Sequence, residues 1–387
     1  MAGATGFYDA APMQLDRSVG WRYFRDRGAV YEADGLWYLT SPEAVRFAHH
    51  NPQLFSSARA FDSLGSPVPL IPLAIDPPDH VRYRRVLDPM LAPRIVNAMD
   101  GELRRQIQGL IDGFIDTGRC EVNADIGRLY PTQVFLTLFG LPLEDRDQFN
   151  KWVDVLVNTS GSQVKGATPA QMEAGLALFT YLQGFIEQKR SRPAHDMLSR
   201  ILALAGADAW TDEEILGLCF LFTLAGLDTV TAAIGFVLYH LARRPDLQGR
   251  INTDASLISP LIEEVLRLEL PAPLSPRVVQ EDVTVEGVTI PAGSMTFLCL
   301  GTVNRAIAAE HPDDIDLELA GRAHLSFGGG IHRCLGSHLA RRELKLVVEE
   351  LHRRIPEYRI ESAAEPRVAW PSGTLHLEEV RLVFGPG

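Results

Sequence analysis

Residues Phe327-Gly328-Gly329-Gly330-Ile331-His332-Arg333-Cys334-Leu335-Gly336 place one cysteine in a glycine-rich loop at the mouth of a helix that opens Ser337-His338-Leu339-Ala340-Arg341. The partial positive charge of a helix N-terminus, with cations nearby, lowers a thiol pKa. Cys334 is therefore expected to ionise easily. Three glycines strip side chains from the loop, so that something large and flat can lie against the backbone. Phe327 offers an aromatic face beside the sulfur. The chemistry that fits is a thiolate bound to the iron of a haem, where it pushes electron density onto the metal and favours O–O cleavage. A cysteine by itself is more often buried and inert, so the surrounding residues decide.

Ala225-Gly226-Leu227-Asp228-Thr229 lies within a long apolar segment. Gly226 removes a side chain where a helix could pass close to a flat cofactor. Thr229 can bond back to a carbonyl one turn earlier and open the helix. An acid beside a hydroxyl in apolar surroundings is a candidate proton relay. A haem also carries two propionates, which need cationic donors. His80 and Arg84 stand four residues apart, hence on one helix face, and arginine suits a carboxylate through paired donors.

These stretches resemble the cytochrome P450 family. Residues 327–341 fill every fixed position of its haem-ligand signature, F-G-x-G-x-H-x-C-x-G-x-x-L-A-R, and residues 225–229 match A-G-x-D-T. Asp76-Pro77-Pro78-Asp79-His80 through Arg84 is similar to D-P-P-E-H-x-x-x-R, and Glu264-Val265-Leu266-Arg267 to E-x-x-R. The resemblance runs from about residue 70 to 345. It implies a mainly α fold with small β elements around a buried haem b (iron protoporphyrin IX). Cys334 would be the iron ligand, with Phe327, Gly328, Gly336, Ala225 and Gly226 along the cofactor. His80, Arg84, Arg277 and His332 would hold the propionates. Asp228 and Thr229 would deliver protons to dioxygen, and Glu264 and Arg267 would brace the haem loop from below. Two segments depart from the family pattern. Val303-Asn304-Arg305-Ala306 has Ala306 where an acid is usual, and Ser372-Gly373-Thr374-Leu375-His376 is only loosely typical.

The chain has 387 residues, 46% of them hydrophobic, enough for a large core. No linker, low-complexity tract or repeat divides it, so a single domain over 1–387 is expected. A formal charge of −12 argues against nucleic-acid binding. Cys120, Cys219, Cys299 and Cys334 form no C-x-x-C pair, and Met1 to Gly6 shows no signal-peptide pattern. Together these predict free thiols and a cytoplasmic location. Ile215 to Tyr239 is long enough to cross a bilayer. However, the capping box at Thr211-Asp212-Glu213-Glu214 and the charge of Asp228 favour the central helix of a soluble protein, without a membrane anchor. Asp34-Gly35 predicts a hairpin between Val30–Glu32 and Leu36–Leu39. Helices are expected over 42–50, 78–91 and 256–270, with strands near 283–290 and 296–300. The polar stretch Asn158 to Ser162, continuing to Thr168-Pro169, is a candidate lid loop.

The implied reaction inserts one oxygen atom of dioxygen into an apolar small molecule such as a terpenoid, steroid, fatty or aromatic compound. Leu70, Ile71, Leu221, Leu274, Val278 and Leu375, with Ala225, are candidate substrate contacts. The chain shows no flavin or nicotinamide fingerprint. Electrons are therefore expected from a separate ferredoxin and reductase, docking beside the loop at Arg333, Arg341 and Arg342. A peroxide-driven haem-thiolate enzyme is one alternative, and a non-enzymatic haem sensor or carrier another. Zinc binding by His332 and Cys334 has too few local ligands.

Overall fold

The computed structural model describes residues 13, 16–61, 66, 68–157, 168–204, 206, 209–308, 310–319, 323–362, 365–370 and 374–385. The chain enters through α1 (Arg17–Arg25), capped by the Asp16 carboxylate. Asp34 and Gly35 take φ of +54° and +77°, the left-handed pair required by a two-residue turn between twisted strands. Across this turn, β1 (Val30–Ala33) pairs antiparallel with β2 (Leu36–Leu39), as the sequence predicts. The helix α2 (Pro42–His50) starts at the Ser41 side-chain cap. The short strand β3 (Phe55–Ser56) leads to α3 (Asp79–Met90), α4 (Pro93–Ala98) and α5 (Asp100–Asp112). After β4 (Arg119–Glu121) come α6 (Leu129–Phe139), α7 (Arg146–Val157), α8 (Pro169–Ser191) and α9 (Met197–Leu202).

The central helix α10 (Asp212–Arg243) begins at the predicted capping box. Glu214 N–H donates to Thr211 Oγ1 at 3.2 Å, and Thr211 N–H donates to the Glu214 carboxylate at 2.7 Å. Next are α11 (Pro245–Thr253) and α12 (Ile258–Leu268), followed by β5 (Leu274–Val279), β6 (Val283–Val285), β7 (Val288–Ile290) and β8 (Met295–Cys299). The last helices are α13 (Leu300–Ala306) and α14 (Ser337–Arg354). The order in the largest sheet is β1-β2-β8-β5-β3, with β2 and β8 parallel. Val283–Ile290, expected as strand, is a separate hairpin that turns at Glu286 and Gly287.

Two apolar clusters form the interior, and α10 belongs to both. Ile215 to Leu227 contribute to one, with α6, α8 and α9. Val230 to Ala242 contribute to the other, with the main sheet, α5, α12 and α14. By length and apolar composition α10 could cross a membrane. Its apolar faces are instead covered by the protein's own helices, as expected for a core helix. The helix changes cluster at Asp228 and Thr229, and clefts between packed units are where ligand sites concentrate.

Candidate active site

The cysteine loop is tied by its own backbone. Cys334 N–H donates to the Phe327 carbonyl and Gly328 N–H to the Leu325 carbonyl, each at 2.8 Å. Gly328 and Gly330 have φ of +66° and +62°, which a side chain disfavours. The reason for the glycine run differs in part from the expectation. A Cβ on Gly329 would come within 2.6 Å of His49 Nδ1, and one on Gly330 within 2.3 Å of the His49 carbonyl oxygen. Two of the three glycines thus admit the end of α2, and only at Gly328 would a Cβ find ordinary room, with the His332 carbonyl oxygen at 3.9 Å. The thiol also departs from expectation. The Cys334 side chain is exposed, yet desolvation by the protein packed around the loop raises its pKa above the ordinary thiol value, against the lowering effects of the Gly336 N–H, Arg84, Arg341 and Arg333. Desolvation outweighs the helix terminus here, and ligation to a metal would be what deprotonates the sulfur. The Phe327 ring lies under the Arg341 guanidinium, 4.2 Å from centroid to Cζ.

The loop rests on buried ion pairs. Arg267 grips Glu264 through two bonds of 3.0 and 2.9 Å, with both side chains 2% exposed. It also donates to the carbonyls of Pro312 and Asp314, while Glu264 accepts from Asp316 N–H. The E-x-x-R pair therefore clamps the segment leading into the cysteine loop. Asn304, which the sequence reading did not single out, bonds the Arg267 carbonyl, Ser326 Oγ and Leu325 N–H, carrying the clamp to the loop itself. Ala306 needs no acidic replacement for this bracing, because the neighbouring Arg305 already pairs with Asp313.

The donor side is largely buried, and its two histidines and Arg277 make no ion pair among the described residues, although the Asp76 charge acts on His80 and Arg277. His80 on α3 and Arg277 on β5 are 2% and 4% exposed. The His80 and His332 rings meet edge to face at 4.4 Å, and the Nε2 atoms of both are buried with no hydrogen-bond partner among the described residues. Arg277 donates only to Ser275 Oγ and the Pro276 carbonyl, and no described carboxylate pairs with it. Burial, with Arg277 and His80 nearby, pushes His332 down to about 3, and burial, against the opposing charge of Asp76, takes Arg277 down to about 10. A buried donor set left without acceptors is costly and fits a bound group that brings its own carboxylates. Arg84 is partly engaged elsewhere, donating to the Arg333 carbonyl at 2.8 Å and pairing with Asp88 at 2.8 Å.

Opposite runs α10. Thr229 Oγ1 donates to the Ala225 carbonyl at 2.8 Å, the expected back-bond, although the helix stays continuous from 212 to 243. Ala225 and Gly226 are exposed in a helix that is otherwise mostly buried, and a Cβ on Gly226 would meet nothing within 4 Å. This open space beside Asp228 and Thr229 suits a flat body with a small reactant on it. Asp228 accepts a hydrogen bond from the Thr374 hydroxyl, so the loosely typical C-terminal segment does reach the candidate relay.

The candidate substrate contacts divide. Leu274 and Val278 are half-buried, whereas Leu70, Ile71, Leu221 and Leu375 are buried, the last with no exposed surface. Pro69 lies so close to α10 that a Cβ on Gly217 would come within 2.0 Å of its carbonyl oxygen, which places Leu70 and Ile71 against that helix. Of the three docking arginines, Arg341 is held by Glu263 through two bonds of 2.6 and 2.8 Å, and Arg342 pairs with Asp100. Only Arg333 is exposed and without an ion pair among the described residues. The candidate lid at 158–162 lies outside the described residues, as do Ser372 and Gly373.

A family profile described as Cytochrome P450 matches residues 118–355. The chain is 34% identical over 333 residues to a vitamin D(3) 25-hydroxylase of Pseudonocardia autotrophica, covering 83% of this chain and 81% of that protein. It is 31% identical over 351 residues to cytochrome P450 130 of Mycobacterium tuberculosis, covering 87% and 85%. The fold superposes with a TM-score of 0.86 on CYP109E1 from Bacillus megaterium in complex with testosterone, at 27% identity and covering 96% and 98% of the two chains. By profile, identity and coverage, this chain belongs to the cytochrome P450 family, haem-dependent oxidoreductases of the monooxygenase type.

Proposed function

We propose that the protein, as a single domain, inserts one oxygen atom of dioxygen into a C–H bond of an apolar small molecule. Two electrons from a separate ferredoxin and its reductase, with two protons, reduce the other atom to water. The observation that carries this reading is the acid–alcohol pair Asp228–Thr229 beside the exposed residues Ala225 and Gly226 of the central helix. A peroxide-driven enzyme or a passive carrier has no use for a proton path at that place.

The haem supplies the oxygen-activating and electron-accepting chemistry when bound. Cys334 would be its ligand, and His80, Arg277, His332 and, in part, Arg84 would hold its carboxylates. Asp228 receives protons from the solvent side and passes them to Thr229 Oγ1, which turns from the Ala225 carbonyl toward the open space to present them. The Thr374 hydroxyl keeps the Asp228 carboxylate in place. Leu274 and Val278 line the guest, while Leu70, Ile71, Leu221 and Leu375 form the wall behind it. Arg333 offers charge to the electron donor. The four free cysteines suit a cytoplasmic location. The apolar character of vitamin D(3) and testosterone, named for two of the relatives, supports an apolar guest.

The test is turnover under isotopic dioxygen with a ferredoxin, its reductase and a panel of steroids, terpenoids, fatty acids and aromatics. One labelled oxygen per product is expected. Equal turnover with hydrogen peroxide alone, or label entering from water, would overturn the reading.

A further inference from the structure

The helix α2 ends on His49 and His50, and neither belongs to the motifs identified above. His49 is 7% exposed, and its Nε2 is buried with no hydrogen-bond partner among the described residues. Its ring is wedged against the cysteine loop: Nδ1 faces Gly329, and the residue's own carbonyl faces Gly330. Two glycines that tolerate no Cβ therefore serve to bring this imidazole up to the loop. Arg277 and His332 are close enough for their charges to act on one another and on His49. The same neighbourhood holds the other unpartnered nitrogens, His80 Nε2 and His332 Nε2.

A packing role alone would be served better by an apolar ring, since an imidazole N–H buried without an acceptor is unfavourable. Three orphaned imidazole nitrogens around one buried guanidinium point to a single missing acceptor group. Two carboxylates in so dry a place need many donors but few net charges, and neutral histidines supply donors without adding mutual repulsion.

We propose that His49 is a further haem-binding residue, whose Nε2–H joins His80, His332 and Arg277 in holding the cofactor's carboxylates. The inference rests on the haem assignment of the family. It adds a residue contributed by the N-terminal part of the chain, so that the haem ties α2 to the cysteine loop.

The experiment is transfer of haem from the purified holoprotein to excess apomyoglobin, followed at the Soret band. His49→Phe keeps a ring of similar shape and removes the donor. It is expected to release haem about 10- to 100-fold faster, the effect of losing one hydrogen bond to a charged group. His49→Gln, which keeps an N–H, should recover most of the loss. The reduced carbon monoxide spectrum should be unchanged in both, because the iron ligand is untouched. Release from His49→Phe at the wild-type rate overturns the proposal, as does equally fast release from His49→Phe and His49→Gln, which would mean packing alone. If His49→Phe does not accumulate as folded holoprotein, His49→Gln is compared with His49→Met. These differ chiefly in the donor, and equal rates overturn the proposal. The spectrum of the wild-type protein tests the haem-thiolate reading separately, so failure of one is distinguishable from failure of the other.

Discussion

Two adjacent glycines of the cysteine loop should both lose stability on substitution, but only one should be relieved by a second change at His49. A Cβ on Gly330 would lie 2.3 Å from the His49 carbonyl oxygen and 3.1 Å from its carbonyl carbon, so the obstacle is backbone. Gly330 also has φ of +62°, which costs an L-residue about 1–2 kcal/mol. Forcing the extra carbon into the contact adds about 1–3 kcal/mol. The stiffer unfolded chain of alanine offsets at most about 1 kcal/mol. Gly330→Ala should therefore destabilise by roughly 1–5 kcal/mol. At Gly329 the obstacle is the His49 side chain, with Nδ1 at 2.6 Å, and no positive φ is involved. Gly329→Ala should cost only the overpacking, about 1–3 kcal/mol. Adding His49→Ala should then relieve Gly329→Ala by about 1–2 kcal/mol but leave Gly330→Ala additive to within about 0.5 kcal/mol. Urea unfolding of the holoproteins, followed by circular dichroism and the Soret band, measures each corner of the two cycles. Rescue of Gly330→Ala by His49→Ala, or a neutral Gly329→Ala, would refute the packing of α2 against the loop.

Other consequences are as direct. Thr229→Ala should lower product formed per electron pair at least about tenfold, with the missing electrons recovered as hydrogen peroxide; intact coupling would remove Thr229 from the proton path. Arg333→Glu should slow reduction by ferredoxin several-fold at low salt and little at high salt, as expected of an exposed docking charge. Arg341→Glu should instead destabilise the loop, because Arg341 is already held by Glu263. Unchanged reduction of the Arg333 variant at low salt would exclude that surface. Burial pushes His352 down to about 4 from an ordinary 6.5, and its ring lies between Asn252 and Tyr358. Below pH 6.5 the unfolded chain takes up a proton that the folded chain refuses. The stability present at pH 7 is therefore lost as pH falls, by about 2–3 kcal/mol at pH 4.5. His352→Gln should flatten the slope of unfolding free energy over that range, and an unchanged slope would contradict the assignment.

Much of this arrangement was legible in the residues because it depends on local chemistry. A capping box fixes where the central helix starts, an Asp-Gly turn fixes the first hairpin, and Glu264 reaches Arg267 because they share a helix face. The four donors at 80, 84, 277 and 332 were named from motifs, and those at 80, 277 and 332 make no ion pair among the described residues. What local chemistry does not carry is distance across the fold. His49 sits in a short helix far along the chain from the cysteine, and only the packing of α2 on the loop exposes its role. Gly329 and Gly330 read as room for a flat ligand, whereas the space they leave is filled by that helix. The thiol was expected to ionise easily from its helix terminus and nearby cations, but desolvation by the protein around the loop opposes both, and a sequence does not report which segments pack there. The same holds for Arg341 and Arg342, whose acidic partners Glu263 and Asp100 come from other helices. Asn304 was passed over because an asparagine in a short helix gives no sign that it bridges two distant segments.

The central claim is that Cys334 sulfur ligates a haem iron. The most direct test is the absorption spectrum of the dithionite-reduced holoprotein under carbon monoxide, taken beside Cys334→Ala. The wild-type protein should show the strongly red-shifted Soret band of a thiolate opposite the ligand, and the variant should lose it. A wild-type band at the position of histidine-ligated haem in fresh protein, or a red-shifted band that survives Cys334→Ala, would contradict the account.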